Sequence, residues 1–233
     1  MCYIDRMKFL LSILLYCSLA QATTVVGVID SGLDISDPRF TAHLCPAGHK
    51  DFTGMGLDDT LGHGTHVAGS IIREAKDADY CLLIIKFFDE RATPDEHSNN
   101  LFRSIRYAVE QGATVVNFSG GGKLSDRQEE AAISYATWVK FFVAAGNNGL
   151  NMDKKGNEYY PACYNLKNVY AVGNNGIDAK SNYGSMVKLW ENGQYILSTC
   201  IHDIDCYMSG TSMSTSIVTG KYLYLQHLTK DFR

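Results

Sequence analysis

The stretch VVGVIDSG, residues 25–32, joins a short apolar run to a single carboxylate. Valine and isoleucine favour strands, and an apolar run of this length before a glycine turn is typical of a strand buried on both faces. Asp30 ends the run, so it is expected at the carboxyl end of a strand, where the active groups of α/β folds gather. This segment therefore predicts both a fold class and the edge that carries a site.

Other apolar, β-branched runs alternate along the chain with segments of helical period. The predicted strands are TVVGVI at 24–29, the run from Tyr80 to Phe88, ATVVNF at 113–118, KFFVAA at 140–145 and NVYAV at 168–172. Between them, one helix is expected to end at Gly112 and another to be capped by Ser125. The alternation predicts an α/β fold with a mostly parallel central sheet and helices on both faces. Ser119 and Asn147 then lie, like Asp30, at or just past strand ends.

The first 22 residues have the pattern of a secretory signal peptide. Arg6 and Lys8 precede an apolar run at 9–19 that is too short to span a bilayer, and Ala20-Gln21-Ala22 forms a cleavage site. A short membrane anchor is the alternative. We expect cleavage after Ala22, which leaves residues 23–233 as one secreted or otherwise extracytoplasmic domain.

Composition and charge narrow the range of partners. The chain is 45% hydrophobic and 20% charged, as in an ordinary globular protein, and its formal net charge is -4. Phosphate binding relies on clustered Lys and Arg, and no such tract occurs, so nucleic acid is not an expected partner. Once the signal is removed, no membrane association is expected either.

Five cysteines remain after the first 22 residues: Cys45, Cys81, Cys163, Cys200 and Cys206. In an oxidising compartment these would form two disulfides and leave one thiol, although sequence does not give the pairing. Cys200 with Cys206 is the easiest pair to form, because it closes a short loop. The alternative is that several are simply buried, small apolar residues.

Three separate segments supply the parts of an activated nucleophile, and VVGVIDSG with Asp30 is the first of them. GTSMS, residues 210–214, places Ser212 at a glycine-led turn before a helical run, and LGHGTHVAG, residues 61–69, opens another helical pattern at His63. A serine hydroxyl is a weak nucleophile at neutral pH until a base takes its proton and a third group orients that base. Asp30, His63 and Ser212 could fill these three roles.

Four segments together resemble the subtilisin-like serine proteases: VIDSGLD at 28–34, HGTHVAG at 63–69, AAGNNG at 144–149 and SGTSMS at 209–214. The resemblance implies the three-layer fold of that family and a secreted serine endopeptidase. In that reading Ser212 attacks the scissile carbonyl, His63 is the base and Asp30 orients it. The side-chain amide of Asn147 and the backbone N–H of Ser212 would stabilise the oxyanion.

The resemblance also implies a substrate cleft. One side of it is formed by Ser119, Gly120 and Gly121, and the opposite wall by Ala144, Ala145 and Gly146. The glycines would let a peptide backbone pair alongside. Tyr159 falls where the floor of the pocket is expected. We therefore expect a preference for small to medium uncharged side chains just before the cleaved bond.

The resemblance implies a protein or peptide substrate and no required cofactor. Structural calcium stays open, because Asp58 and Asp59 are carboxylates of the kind that bind it. About seven residues separate the expected cleavage site from Asp30, and the chain has 21 residues after Ser212. Either folding proceeds unaided, or the helper segment usual in such enzymes acts in trans, as a separate pro-segment or an inhibitor.

Three other interpretations of these residues stay open. A catalytically silent domain of the same fold would bind protein or peptide without cleaving it. A serine esterase of the α/β-hydrolase type is disfavoured, because residues 210–214 do not complete GxSxG and because Asp30 and His63 precede the serine. His63 and His66 could also form a metal-binding or core histidine pair.

Overall fold

The computed structural model describes residues 23–202 and 204–230, and it contains one large sheet with all seven strands parallel. Its strands lie side by side in the order β2-β3-β1-β4-β5-β6-β7. Their bounds are β1 Thr24–Asp30, β2 Lys50–Asp51, β3 Tyr80–Lys86, β4 Val115–Phe118, β5 Lys140–Ala144, β6 Val169–Asn174 and β7 Val187–Glu191. The predicted α/β class is confirmed. The predicted signal peptide, residues 1–22, lies outside the described residues.

In the described part of the chain, four α-helices cover the two faces of this sheet. They are α1 His63–Ala75, α2 Pro94–Glu110, α3 Arg127–Tyr135 and α4 Thr211–Lys230. A 3-10 helix at Pro38–His43 and an antiparallel hairpin of β8 Ile196–Thr199 with β9 Asp205–Met208 complete the elements. Across the described residues, none of the helices combines the length and the apolar character that a membrane span requires.

Alternate residues of the central strands enter two different cores. Val26 and Val28 of β1 pack in the core that contains residues of α1 and α4, whereas Ile29 packs in the core formed with α2 and α3. Such alternation is what a strand buried on both faces requires, because its side chains point to opposite sides in turn. The result is three layers, helix over sheet over helix, and β1 belongs to the middle layer.

Some boundaries differ from the predicted ones. The cap of α3 is Asp126 and not Ser125, because Asp126 Oδ1 accepts the N–H groups of Gln128 at 2.7 Å and Glu129 at 3.1 Å. Helix α2 ends at Glu110, shortly before Gly112, which adopts a φ of 83°. The short strand β2, the strand β7 and the hairpin were not predicted. They are brief or half-exposed, so they lack the apolar runs that mark buried strands.

The cysteines form two disulfides, as predicted. Cys200 is bonded to Cys206 across the turn of the β8–β9 hairpin, and Cys45 is bonded to Cys81 at the second residue of β3. Among the cysteines that the structure describes, Cys163 is the free thiol, and it is half-buried. The first bridge restrains the segment that leads into α4, and the second attaches the loop after the 3-10 helix to the central sheet.

Candidate active site

Asp30 and His63 meet where the end of β1 faces the start of α1. The Nδ1 atom of His63 lies 2.7 Å from Asp30 Oδ1, which also accepts the backbone N–H of Ser31 at 2.8 Å. Asp30 is buried, while the His63 side chain is 35% exposed. The negative charge of Asp30 raises the pKa of His63 above its ordinary value, against the opposing effect of burial. The contact at Nδ1 leaves the Nε2 atom of the ring free to exchange a proton with another group.

A small polar network fixes these two elements against each other. Asp59 Oδ1 accepts the hydroxyl of Ser31 at 2.9 Å, and Asp59 Oδ2 accepts the N–H of Thr65 at 2.9 Å in the first turn of α1. Ser31 Oγ in turn accepts the N–H of Gly64 at 2.9 Å. A Cβ atom on Gly64 would collide with the carbonyl oxygen of Gly32, so only glycine allows this close approach.

Ser212 is the second residue of α4 and is tied to Ser119 at the end of β4. The hydroxyl of Ser212 donates to the Ser119 carbonyl at 2.9 Å, and the hydroxyl of Ser119 donates to the Ser212 carbonyl at 3.0 Å. Ser119 and His63 line one cavity, so the structure brings the predicted nucleophile to the same edge as the Asp30–His63 pair. In this arrangement the proton of Ser212 is directed to Ser119 and not to His63.

Asn147 contacts the beginning of the helix that carries Ser212. Its Oδ1 atom accepts the N–H of Thr211 at 2.9 Å. A Cβ on Gly210 would lie 3.3 Å from Asn147 Nδ2, so the amide nitrogen is next to the residues that precede the serine. Because the first N–H groups of a helix have no acceptor within it, the Ser212 N–H is also free of intrahelical bonding. Asn147 and Ser212 thus present two N–H donors in one region.

A cavity of about 590 Å³ extends from Asp30 and His63 along the glycine segment after β4. Of the predicted cleft residues, it is lined by Ser119, Gly120, Gly121 and Tyr159. Ala144 and Ala145 are buried and, with Gly146, do not line it. The ring of Tyr159 occupies the gap between the two predicted walls, since Cβ atoms built on Gly121 or Gly146 would press against it.

The sequence alone missed several residues at this site. Gly122 pairs with Tyr160 through two backbone hydrogen bonds of 2.9 and 2.7 Å, which attaches the glycine segment to the loop that carries Tyr159. Glu129, in the first turn of α3, also lines the cavity. The Ser31 hydroxyl and Asp59 needed a three-dimensional contact to be recognised, because serine and aspartate are ordinary turn residues.

His66 belongs to the protein core. Its Nε2 atom lies 2.9 Å from the carbonyl of Ile196, and burial lowers the pKa of its ring. It therefore does not form a metal pair with His63. Within residues 23–202 and 204–230, no three His, Cys, Asp or Glu side chains are grouped as a metal site, and Asp59 is engaged by the start of α1.

Comparison with known proteins agrees with this geometry. Residues 21–232 match the family model for peptidase S8, described as the subtilase family. The chain is 32% identical over 224 residues to an intracellular serine protease of Paenibacillus polymyxa, with 87% of this chain and 66% of the relative covered. It is 33% identical over 227 residues to alkaline protease 1 of Aspergillus clavatus, with 91% and 54% covered.

The fold also matches a solved protease structure. The crystal structure of a lanthipeptide protease superposes with a TM-score of 0.78 at 26% sequence identity, covering 90% of this chain and 76% of the other. The chain spans between half and two thirds of the length of the two curated relatives described above.

Proposed function

The chain belongs to the subtilase family, and we propose that it is a serine endopeptidase that works through Asp30, His63 and Ser212. The observation that carries the proposal is the 2.7 Å contact between His63 Nδ1 and Asp30 Oδ1 at the cavity that Ser119 shares with them. A buried carboxylate in this position selects the tautomer that leaves Nε2 as the base and stabilises the ring once it is charged.

The proposed reaction follows from these positions. The Ser212 hydroxyl turns from the Ser119 carbonyl to His63, which takes its proton as the oxygen attacks the scissile carbonyl carbon. Negative charge then develops on the carbonyl oxygen, where the Asn147 amide and the Ser212 N–H donate hydrogen bonds. His63 returns the proton to the leaving amine, and a water molecule repeats the sequence to release the acyl group. Every proton passes between side chains of this chain, substrate and water.

The proposed substrate is a peptide in extended form beside Ser119, Gly120 and Gly121. Gly122 already pairs with Tyr160, and a bound strand would continue this pairing along the glycines. Tyr159 fills the space between the cleft walls, so we propose that small to medium uncharged side chains precede the cleaved bond. Profiling on a peptide library that returned a strong preference for Lys or Arg at that position would contradict this.

We also propose that residues 1–22 are removed and that residues 23–233 act outside the cytoplasm. Two disulfides support an oxidising compartment. N-terminal sequencing of the protein from the culture medium of its expression host should begin at Thr23. Retention of the uncleaved chain inside the cell would contradict export.

A fluorophosphonate probe followed by peptide mapping tests the catalytic proposal directly. We expect the probe to label Ser212 in the wild type, and labelling to be lost in His63→Ala. Ser134→Ala is the matched control, because Ser134 is exposed on α3, away from the cavity. A folded protein that binds peptide but never labels would instead be a silent binding domain.

A further inference from the structure

Glu129 is a buried carboxyl group that the proposed reaction does not use. The residue is only 5% exposed, and its Oε1 atom has no hydrogen-bond partner among the described residues. A buried polar atom without a partner costs free energy, so it usually indicates a strain, a water or a ligand. Here the residue lines the same cavity as Asp30 and His63.

The position of Glu129 in α3 explains why its carboxyl group is free. It is the third residue of a helix capped by Asp126, where a glutamate ordinarily reaches back to the backbone N–H of the capping residue. In this chain that N–H donates to the hydroxyl of Tyr164 at 2.9 Å. The Tyr164 hydroxyl therefore accepts the N–H that a glutamate at position 129 would ordinarily accept.

The walls that lead to Glu129 are mostly apolar. Phe88, Leu101, Phe118 and Leu124 line the cavity, together with the glycines after Ser119. Lysine and arginine combine an apolar stem with a charged end, and they bury the stem where the end can find a partner. The only ammonium group that the described chain brings to the cavity lining, Lys123, is on an exposed residue and makes no hydrogen bond to Oε1.

We propose that Glu129 makes this cavity select an arginine or lysine side chain of a bound peptide, upstream of the residue that directly precedes the cleaved bond. The inference rests on the proposed function in that the peptide is a substrate. A lysine or arginine directly before the cleaved bond is excluded because Tyr159 fills the space between the two predicted cleft walls. Glu129, in contrast, lines a cavity that the wall at residues 144–146 does not reach.

Burial makes the ionised form of Glu129 costly until a cation binds beside it. It raises the pKa of Glu129 to about 8, and the nearby charge of Asp126 acts in the same direction. An incoming guanidinium or ammonium group would supply the missing partner. Hydrogen bonds to charged groups are among the stronger ones in proteins.

Cleavage of matched peptides tests the proposal. Peptides carry Arg, Lys, norleucine or Gln at the second, third, fourth or fifth position before the cleaved bond. At one of these positions we expect the wild type to favour Arg or Lys over norleucine by about tenfold or more in kcat/KM. Glu129→Gln should bring that ratio close to one. Glu130→Gln removes the same charge from the adjacent, exposed residue and should leave the ratio unchanged.

Equilibrium binding separates a failure of this proposal from a failure of the proposed function. Fluorescence anisotropy of the same peptides with Ser212→Ala, with and without Glu129→Gln, reports cation preference without cleavage. If the wild type does not label with fluorophosphonate, the catalytic proposal fails. The ratio of Arg-peptide to norleucine-peptide binding then tests the role of Glu129 by itself. Equal binding of Arg and norleucine peptides, or a preference that persists in Glu129→Gln, would overturn it.

Discussion

Ser119 and Ser212 hold each other through two hydrogen bonds that run in opposite directions, each from one hydroxyl to the other residue's carbonyl. Ser119 Oγ also accepts from Asn117 Nδ2 at 3.0 Å, and Asn117 Oδ1 accepts the hydroxyl of Thr219 at 2.9 Å. This buried network joins β4 to both the first and the third turn of α4. The position of the proposed nucleophile is thus coupled to the strand beside which the substrate would bind.

Ser119→Ala should weaken this coupling. The change removes one donor to the Ser212 carbonyl and leaves Asn117 Nδ2 without its acceptor, so we expect the free energy of unfolding to fall by about 1 to 3 kcal/mol. We also expect a lower kcat, because Ser212 is less well positioned. Denaturant unfolding and steady-state kinetics measure the two effects. Ser134→Ala, on the exposed face of α3, serves as the control and should change neither.

Asp30→Asn should reduce kcat by about 10⁴, because the amide no longer selects the active tautomer of His63. The Coulombic attraction of Asp30 is also the largest cause of the raised His63 pKa. The variant's remaining activity should therefore show a lower pKa than the wild type in its pH profile. A variant with nearly normal kcat would show that Asp30 does not orient the base.

The raised pKa of His63 determines the direction in which kcat/KM should change with pH. His63 must be neutral to accept a proton, and its pKa is raised above 6.5, so activity should rise with a midpoint above pH 6.5. The same pKa change means that the His63–Asp30 pair stabilises the fold below pH 6.5, and that this contribution is lost as the pH rises through the raised pKa. A flat rate profile between pH 6 and 9 would contradict the assignment of His63 as the base.

Asn147 has two separable roles that its variants can distinguish. Asn147→Asp keeps an acceptor for the Thr211 N–H but removes the amide donor, whereas Asn147→Ala removes both. We expect kcat to fall by about 10² to 10³ in each, with KM little changed. Only Asn147→Ala should also lose stability in thermal unfolding. If Asn147→Asp kept normal kcat, the amide would not be an oxyanion donor.

Because burial raises the pKa of Glu129, this residue should make the folded state less stable as the pH rises. Its carboxyl group has a pKa of about 8 when folded against 4.5 in the unfolded chain, so the unfolded state loses its proton first as the pH rises from about 4.5 to 8. Stability present below pH 4.5 should decline across this range by about 3 to 5 kcal/mol. Glu129→Gln should lose this dependence, while Glu130→Gln should retain it. The raised pKa of Glu129 would be refuted if the free energy of unfolding changed equally between pH 5 and pH 9 in the wild type and in Glu129→Gln.

The buried strands could be predicted because each depends on local sequence, whereas the roles of Asp30, His63 and Ser212 were predicted from segments that together resemble a known family. The apolar run before Asp30, for example, is short, rich in valine and isoleucine and followed by a glycine turn, which is typical of a buried strand. Glu129 could not be recognised in this way. With Asp126 three residues before it, the pair is typical of a helix cap, and only the distant Tyr164 hydroxyl shows that the carboxyl group is free. Similarly, β7 alternates exposed and buried residues, so its sequence carries a weaker signal.

The parallel order of the sheet has a consequence for biosynthesis. Strand β1, which ends in Asp30, pairs with β3 at Thr24–Tyr80 and with β4 at Val26–Val115. A nascent chain therefore exposes this very apolar strand until its partners have been translated. Contacts so distant along the chain form slowly, and unpaired strands aggregate in the meantime. The risk of aggregation is therefore greatest during this interval, before Asp30 and His63 have met.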